Sequence, residues 1–339
     1  MTAKPVKQAH PAAADSPLER LSLLMGDDMK KVNALILQNL QSDVPLIPQV
    51  GAWLIAAGGK RIRPLLTLAS TRLYGNGGDR PYGLAAAVEF IHTATLLHDD
   101  VVDESTERRG QEAANVVFGN QASVLVGDFL FSRSFQLMVA DGSLEVLRIL
   151  SDAASIIAQG EVLQLTTANN LETTMNDYLR VVKSKTAALF AAACEIGPLI
   201  AGYGKSEAAV MAEYGLNLGI AFQIADDVLD YSADQEKLGK TVGDDFREGK
   251  MTAPVLLALS AATPEERTFW VRTLADKNQT PHDLAEAQKI IRKHKGFEGG
   301  LALARQYADR ARQALAEAPD SPLRGLLDEI ALFTVSRSY

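Results

Sequence analysis

Apolar residues recur along this chain at spacings of three and four, which places them on one face of a helix. The pattern is clearest over residues 82–103, 122–139 and 208–230. Runs in which apolar and polar residues alternate never exceed a few residues, so the signature of a half-buried strand is missing. The sequence therefore predicts an all-α fold.

Helix start signals support this prediction. Ser16-Pro17-Leu18-Glu19 combines an N-cap serine, a proline in the first helical position and a capping-box glutamate. Thr263-Pro264-Glu265-Glu266 repeats that pattern, and Thr280-Pro281-His282-Asp283 is close to it. We expect helices to begin at each of these motifs.

Helix stop signals divide the remaining chain. Glycine and asparagine cluster at residues 75–78, 169–170 and 202–204, where we expect breaks between helices. The pattern indicates about ten or more helices in a single domain over residues 16–339, because no linker suggests a second domain. Residues 1–15 are rich in Ala, Pro and Lys and are expected to form a disordered tail.

Composition narrows the class of protein. The 339 residues are 47% hydrophobic, enough for a large core, and the net charge of −8 argues against nucleic acid as the main partner. The one cysteine, Cys194, lies in an apolar run and is expected to be an inert buried thiol in a reducing compartment. Glu89 and Glu195 interrupt the longest apolar runs, and the N-terminus has no signal-peptide core. We expect a soluble cytoplasmic protein without a transmembrane segment.

Two aspartate clusters of the form D-D-x-x-D stand out against this apolar background. The first runs from Asp99 to Asp103 and the second from Asp226 to Asp230, each after a helix-forming stretch. Aspartates four apart share one helix face, where unneutralised like charges destabilise the helix. A single cluster is as well explained by a solvated acidic helix end, but two copies favour bound cations. Oxygen ligands alone suit magnesium together with a substrate diphosphate.

Basic and polar residues surround these clusters. Arg108 and Arg109 follow the first cluster, while Lys240 and Lys250 follow the second. Cations beside metal-binding carboxylates suit a polyphosphate, because lysine and arginine contact the phosphate oxygens directly.

Further candidates lie on the predicted helices. His92 shares a helix face with Asp99 and Asp103, and Gln223 shares one with Asp226 and Asp230. A lone histidine on an apolar helix is more often a core residue, but this alignment favours a ligand contact. Two short basic motifs, Gly58-Gly59-Lys60-Arg61-Ile62-Arg63-Pro64 and Lys183-Ser184-Lys185-Thr186, stand where we expect helices to begin and suit phosphate contacts.

Together these motifs resemble the trans-isoprenyl diphosphate synthases, also called polyprenyl synthetases, and within them the long-chain class that makes ubiquinone side chains. The resemblance runs from about Gly58 to Pro254, with a weaker match at the C-terminal Ser336-Arg337-Ser338-Tyr339. Its motifs also include Arg108-Arg109-Gly110, Gly239-Lys240 and Gly249-Lys250-Met251-Thr252. Their joint occurrence in this order is very specific.

The resemblance implies a helical bundle around a deep central cavity, usually in a homodimer. It implies magnesium-dependent, head-to-tail condensation of isopentenyl diphosphate with an allylic diphosphate such as farnesyl diphosphate, for products delivered to membrane enzymes. The implied magnesium ligands are Asp99, Asp103, Asp226 and Asp230. The implied isopentenyl diphosphate site comprises Lys60, Arg63, His92 and Arg109. The implied allylic diphosphate site comprises Arg108, Lys185, Thr186, Gln223, Lys240 and Lys250.

The chemistry of this class explains the residue types. Ionising the allylic C–O bond builds negative charge on the leaving diphosphate, which metals and fixed cations stabilise. The dipoles of Thr186 and Gln223 suit the carbocation because they stabilise it without reacting. The departing diphosphate is thought to take up the final proton, so no protein base is expected. We expect Asp99, Asp103, Asp226, Lys185, Thr186 and Gln223 to be the catalytic residues.

Several alternatives compete with this interpretation. Glu89-Phe90-Ile91-His92 matches the Glu-x-x-His motif of helical di-iron proteins, but such sites need a second copy and further glutamates. A non-catalytic subunit of a heteromeric synthase usually lacks one aspartate motif, and a terpene cyclase has no use for cations that bind isopentenyl diphosphate. The main alternative is a shorter-chain farnesyl or geranylgeranyl diphosphate synthase.

Small residues before the first aspartate cluster favour a long product. Short-chain relatives tend to carry bulky aromatic residues at the positions matching Ala94 and Thr95, which would close a channel there. We therefore expect a product of roughly C40 to C50, with its tail passing Ala94 and Thr95 and then Ile91 and Ala87. Small side chains also commonly serve close helix packing. The predicted channel floor comprises Phe131, Phe135 or Met138.

Overall fold

A computed structural model describes residues 16–56, 58–108, 110–232 and 242–336. The predicted disordered tail, residues 1–15, lies outside them. So do two predicted substrate ligands, Arg109 and Lys240, and the C-terminal residues 337–339.

The described chain is built almost entirely from α-helices, as the apolar spacing predicts. The N-terminal helices are α1 (Pro17–Leu24), α2 (Gly26–Asn39), α3 (Leu46–Ala56), α4 (Ile62–Tyr74), α5 (Arg80–Val102), α6 (Ala114–Phe118), α7 (Asn120–Asp141) and α8 (Leu144–Thr167). The central helices are α9 (Met175–Val182), α10 (Ala188–Ile200) and α11 (Lys205–Ser232). The C-terminal helices are α12 (Asp244–Arg247), α13 (Ala253–Ser260), α14 (Pro264–Trp270), α15 (Asp283–Lys293), α16 (Gly296–Leu315) and α17 (Pro322–Ser336).

Two short strands and two π-helical turns depart from the α-helical pattern within the described residues. Strands β1 (Glu107–Arg108) and β2 (Gln111–Glu112) form a small antiparallel hairpin just after the first aspartate cluster. π-Helical turns occupy Lys183–Ala187, between α9 and α10, and Val271–Ala275, after α14. The first π-turn contains two of the predicted substrate ligands.

The predicted helix boundaries are confirmed at most positions. Ser16 and Thr263 both form complete capping boxes. Each of the three predicted breaks falls between two helices, α4 and α5, α8 and α9, or α10 and α11. The third start signal is only partly right: α15 begins at Asp283, whose carboxylate accepts a hydrogen bond from the Thr280 amide.

Two long helices organise the core. Helix α5 packs against α2, α4 and α7, while α11 packs against α10, α13, α16 and α17. One apolar cluster joins the N-terminal helices to α11 and α17, and a second surrounds the C-terminal half of α11. Each aspartate cluster is therefore held near the end of a helix that the core fixes along its length.

We expected no segment that suits a membrane span, but two helices are long and apolar enough to be candidates. By length and hydropathy, α7 and α11 both pass as candidate spans. In the most apolar 18-residue stretch of α11, 61% of the residues are buried within the protein, so the core explains the apolar character of this helix. For α7 the corresponding share is 39%, and several apolar side chains on this helix face outward.

Candidate active site

The two aspartate clusters lie at corresponding places on α5 and α11. Asp99 belongs to the last turn of α5, and Asp103 caps that helix by donating its amide hydrogen to the Asp99 carbonyl. Asp226 and Asp230 lie on the partly exposed side of α11, near its C-terminal end. Because an α-helix has 3.6 residues per turn, the first and last aspartates of each cluster are expected to lie on the same helix face.

The second aspartate of each cluster turns into the protein, because successive helical residues are rotated by about 100°. The carboxylate of Asp100 accepts a 2.6 Å hydrogen bond from Arg108 Nε. The carboxylate of Asp227 accepts hydrogen bonds from the Tyr178 hydroxyl and from Gln223 Nε2, the latter 2.6 Å long. Burial raises the pKa of Asp227 to about 7, although both hydrogen bonds lower it. Neither of these two aspartates has a role predicted from the sequence.

Lys185 bridges the first aspartate cluster to a glutamate on another helix. Its Nζ lies 3.3 Å from Asp99 Oδ2 and 2.6 Å from Oε2 of Glu161 on α8. Burial raises the pKa of Glu161 to about 7, and the charge of Asp99 adds to that shift while Lys185 opposes it. No sequence motif pointed to Glu161, because its partner lies 24 residues away.

Lys250 makes a second bridge of the same kind. Its Nζ lies 3.0 Å from Asp103 Oδ2 and also pairs with Glu248, in the turn after α12. Burial lowers the pKa of Lys250, but the carboxylates of Asp245, Asp103 and Glu248 outweigh it, so the net shift is upward. Lys250 therefore remains an ammonium in this environment.

The π-turn at Lys183–Ala187 places Lys185 and Thr186 in the site. We expected these residues at a helix start, but that prediction is wrong because the chain is helical on both sides of the turn. Glycines on two neighbouring helices let them approach it. A Cβ on Gly160 of α8 would lie 2.8 Å from the Lys185 amide nitrogen, and one on Gly219 of α11 would lie 2.7 Å from Ala187 Cα.

Hydrogen bonds connect Thr186 to the second aspartate cluster. The Thr186 hydroxyl donates a 2.8 Å hydrogen bond to Gln223 Oε1, and the amide group of Gln223 then donates to Asp227. This chain fixes the orientation of the Gln223 amide and leaves few donors unused. The contact brings together two residues that are both expected to stabilise the carbocation.

Four predicted substrate ligands line one cavity. Its volume is about 590 Å³ when the solvent space at its open mouth is included, and Tyr178 and Asp245 also contribute to its wall. The predicted ligands in its wall are Lys185, Thr186, Gln223 and Lys250. The ion pairs of the two lysines place Asp99 and Asp103 at this cavity.

Asp230 plays a structural part in this structure. Its two carboxylate oxygens accept hydrogen bonds from the backbone amides of Asp244 and Asp245, at 3.3 and 3.1 Å. Burial raises its pKa to about 6. The carboxylate therefore holds the first turn of α12 against the end of α11.

Two of the predicted isopentenyl diphosphate ligands, Lys60 and Arg63, lie outside the wall of the cavity of the two lysines. Lys60 lines a separate pocket with Phe190 and Phe222, and the Arg63 guanidinium lies 4.6 Å from the centre of the Phe190 ring. His92 is partly buried on α5. Arg109, the fourth predicted ligand, is among the residues without a description.

Two ion pairs, Arg61–Glu89 and Arg108–Asp100, bear on the di-iron alternative and on the predicted role of Arg108. Glu89 is buried and paired with Arg61, so this carboxylate already has a cationic partner and is a poor iron ligand. Arg108 lines a third cavity with Arg61 and Glu89 rather than the cavity of the two lysines, and its guanidinium is held by Asp100. The structure thus does not bring Arg108 to the other predicted allylic diphosphate ligands.

The donor set suits a hard cation. Within the described ranges no three His, Cys, Asp or Glu side chains already converge as a metal site. However, Asp99, Asp103, Glu161 and Glu248 surround only two ammonium groups. This excess of carboxylate oxygen fits magnesium or calcium, which prefer oxygen ligands, rather than a metal that needs sulfur or imidazole.

The chain is similar to known proteins along most of its length. The sequence model of the polyprenyl synthetase family matches residues 44–291. Octaprenyl diphosphate synthase of Escherichia coli K12 is 47% identical over 320 residues, which cover 94% of this chain and 99% of that protein.

Two solved structures are similar along nearly the whole chain. A decaprenyl diphosphate synthase from Rhodobacter capsulatus is 52% identical, with a TM-score of 0.91 over 95% of this chain and 100% of that chain. A polyprenyl synthase from Caulobacter crescentus CB15, complexed with calcium and isoprenyl diphosphate, is 49% identical. Its TM-score is 0.93 over 97% of this chain and 100% of that chain.

Proposed function

Because this chain belongs to the polyprenyl synthetase family, we propose that it condenses isopentenyl diphosphate head to tail with a growing allylic diphosphate. It is a prenyltransferase, and its product is a long all-trans polyprenyl diphosphate of roughly C40 to C50, as the names of its octaprenyl and decaprenyl relatives imply. The observation that carries the proposal is the cavity in which Lys185, Thr186, Gln223 and Lys250 meet the first aspartate cluster.

We further propose that Asp99, Asp103 and Asp226 hold magnesium, with Asp230 as a further ligand. When bound, magnesium would offset the charge that develops on the leaving diphosphate. Asp230 must release the α12 amides for that role, so it has the weakest support. The calcium in the Caulobacter crescentus structure supports a hard cation in this family.

The two lysines of the cavity bind the allylic diphosphate. Lys185 and Lys250 are ammonium groups whose present partners are carboxylates, and phosphate oxygens are equally suitable acceptors. Charge developing on the bridging oxygen as the C–O bond breaks strengthens these contacts, so they act mainly in the transition state. We propose Arg108 and Lys240 as further ligands, and Arg108 would have to leave Asp100 to reach the diphosphate.

Thr186 and Gln223 face the allylic carbon in this proposal. Their oxygen atoms are already oriented by hydrogen bonds, so they present fixed dipoles to the carbocation without a costly rearrangement. Neither group is a strong nucleophile, which protects the cation from capture. The double bond of isopentenyl diphosphate attacks the cation, and the departing diphosphate takes up the proton that is then lost.

Isopentenyl diphosphate binds to Lys60, Arg63, His92 and Arg109 in this proposal. Lys60 and Arg63 lie before and within the first turn of α4, beside the aromatic rings of Phe190 and Phe222. Phe190 belongs to α10, which follows the π-turn, and Phe222 belongs to α11, which carries the second aspartate cluster. The two substrate sites would therefore share these helices as a common wall.

The assembly and cellular role follow from the same proposal. Residues 16–339 form one catalytic domain around a deep cavity, and two copies form a homodimer. The enzyme works in the cytoplasm and passes its product to membrane enzymes for quinone side chains such as that of ubiquinone. Exposed apolar side chains on α7 and α8 supply a surface for the second copy.

Product analysis tests this function. Purified protein is incubated with farnesyl diphosphate, isopentenyl diphosphate and magnesium, and the dephosphorylated products are identified by mass spectrometry. We expect polyprenols of roughly C40 to C50, no product after chelation with EDTA, and full recovery with added magnesium. Products that stop at geranylgeraniol would support the short-chain alternative, and no product under any condition would contradict the proposal.

A further inference from the structure

The two lysine bridges share an arrangement that the catalytic proposal does not use. Each lysine lies between one aspartate of the first cluster and one glutamate outside both clusters. Lys185 joins Asp99 to Glu161, and Lys250 joins Asp103 to Glu248. All six side chains are at least three-quarters shielded from solvent, with exposed fractions between 13% and 25%.

The arrangement resolves a conflict within the site. Asp99 and Asp103 cannot bind magnesium fully while they also serve two ammonium groups. If they were the sole partners, metal binding would leave two shielded ammonium groups without a counter-charge, which is strongly unfavourable. The glutamates remain as partners when the aspartates turn to the metal.

We propose that Glu161 and Glu248 are positioning residues that keep Lys185 and Lys250 at the cavity when magnesium and diphosphate occupy the first aspartate cluster. This inference rests on the proposed function, because it assumes that Asp99 and Asp103 hold magnesium.

The contacts of Glu161 favour this role. Its oxygen is 0.7 Å closer to Lys185 Nζ (2.6 Å) than that of Asp99 (3.3 Å). Its second oxygen, Oε1, is buried and accepts no hydrogen bond from the described residues, so it has capacity for another lysine proton. Gly160, the residue before it, allows α8 to touch the Lys185 backbone. The pair is thus fixed at a helix contact that does not involve Asp99.

Glu248 is also held beside its lysine without help from the first aspartate cluster, in this case by its position in the same turn. It lies two residues before Lys250, and the Lys250 amide donates a 2.8 Å hydrogen bond to the Asp245 carbonyl. This turn holds the lysine beside Glu248 whatever Asp103 does.

A double-mutant cycle on Glu161 and Lys185 tests the inference. Binding of manganese, a magnesium substitute visible by electron paramagnetic resonance, is measured without diphosphate. We expect Lys185→Gln to bind manganese more tightly than wild type, because the lysine no longer competes for Asp99. We expect Glu161→Gln to weaken binding about tenfold, because Lys185 then depends on Asp99 alone. In the Lys185→Gln background, Glu161→Gln should change affinity by less than about twofold.

Another glutamate–lysine ion pair, whose glutamate also lies on α8, provides the control. Glu145 of α8 pairs with Lys205 far from the cavity, and Glu145→Gln should leave manganese affinity unchanged. The same cycle with Glu248→Gln and Lys250→Gln is an independent test should one variant fail to fold, which circular dichroism detects.

The outcomes are distinct. Equal weakening by Glu161→Gln in both backgrounds would mean that Glu161 acts on the metal directly, and no weakening in either would mean a purely structural role. Both results overturn the inference. The cycle is independent of product formation, so an inactive wild-type protein would contradict the proposed function alone.

Discussion

Within each aspartate cluster, neighbouring residues carry out different tasks. Asp99 and Asp103 face cationic side chains at the cavity, whereas Asp100 is almost fully buried against Arg108. Asp227 is buried in the same way against Tyr178 and Gln223. The spacing of four is enough to predict the shared face. The buried aspartates instead depend on Arg108 of β1, on Gln223 of α11 itself and on Tyr178 of α9. Nothing in the sequence near either cluster names Tyr178.

Replacing Asp99 tests the residue that meets Lys185. Asp99→Asn should lower turnover by roughly a hundredfold at saturating magnesium, because one group that stabilises the developing charge is lost. Asp152→Asn, in an exposed ion pair of α8, should leave turnover unchanged. Steady-state kinetics with both substrates measure the effect, and near-normal turnover of Asp99→Asn would contradict its role.

Cys194 was expected to be inert, and its environment agrees. The side chain is fully buried, and burial raises the pKa of its thiol to about 12. Because the thiolate is the reactive form, native protein should not react with Ellman's reagent at pH 8. Unfolding in guanidinium chloride should release one thiol per chain, measured by absorbance. Rapid reaction of the native protein would show that this helix opens readily.

At the scale of elements, the π-turn is the main departure from the predicted helices. The residues around Lys185 read as a helix start because basic and hydroxyl side chains precede an apolar run. Instead α9, the π-turn and α10 follow one another without a break. The extra residue of such a turn depends on contacts with α8 and α11, made possible by Gly160 and Gly219. These contacts are distant in sequence, so local patterns could not predict the turn.

A methyl group at Gly160 should disturb this turn. In Gly160→Ala, the new Cβ would lie 2.7 Å from Ser184 Cβ and 2.8 Å from the Lys185 amide nitrogen. We expect a loss of about 1–3 kcal/mol in the free energy of unfolding and a higher KM for the allylic substrate, because Lys185 and Thr186 must move. Denaturant unfolding and steady-state kinetics measure both.

Gly83 offers the matched control for this substitution. It lies within α5, and a Cβ there would have no atom within 4 Å. Gly83→Ala should therefore leave KM unchanged and stabilise the protein by up to about 1 kcal/mol through helix propensity. Equal behaviour of the two variants would show that the turn tolerates the extra carbon.

At the scale of the whole molecule, the order of the motifs was predictable and their distribution among cavities was not. The sequence predicts the all-α fold and the long helices α5, α7 and α11, because their apolar spacing is regular. It does not reveal that Lys60 and Arg108 line cavities other than that of Lys185. That separation results from the packing of helices far apart in the chain.

Product length depends on such packing. Ala94 is fully buried in the core, so a phenylalanine there would first strain the packing. Thr95 is only partly buried and is the better position for a test. Thr95→Tyr should shorten the product by several isoprene units while the first condensations stay fast, as measured by mass spectrometry of the polyprenols. A folded, active Thr95→Tyr enzyme with an unchanged product would contradict a tail that passes this residue.

The proposed homodimer makes a prediction about the exposed apolar side chains of α7. Leu125 is 67% exposed in a single chain, which suits contact with a second copy. Leu125→Asp should shift the protein toward monomers, measured by light scattering after size-exclusion chromatography. Leu23 of α1 is 73% exposed, and Leu23→Asp serves as the control that should not alter the mass. An unchanged mass for Leu125→Asp would place any dimer contact elsewhere.

Because Lys185 and Lys250 lie among carboxylates, the cavity contains cations of its own. A metal ion can bind Asp99 and Asp103 only if it displaces these ammonium groups from the two carboxylates. Free magnesium must compete with both ammonium groups, whereas a magnesium diphosphate offers them oxygen atoms in return. Lys185 and Lys250 then exchange the carboxylate oxygens of Asp99 and Asp103 for diphosphate oxygens, and the charge of the site changes little. Metal and diphosphate are therefore expected to enter together more readily than either enters alone.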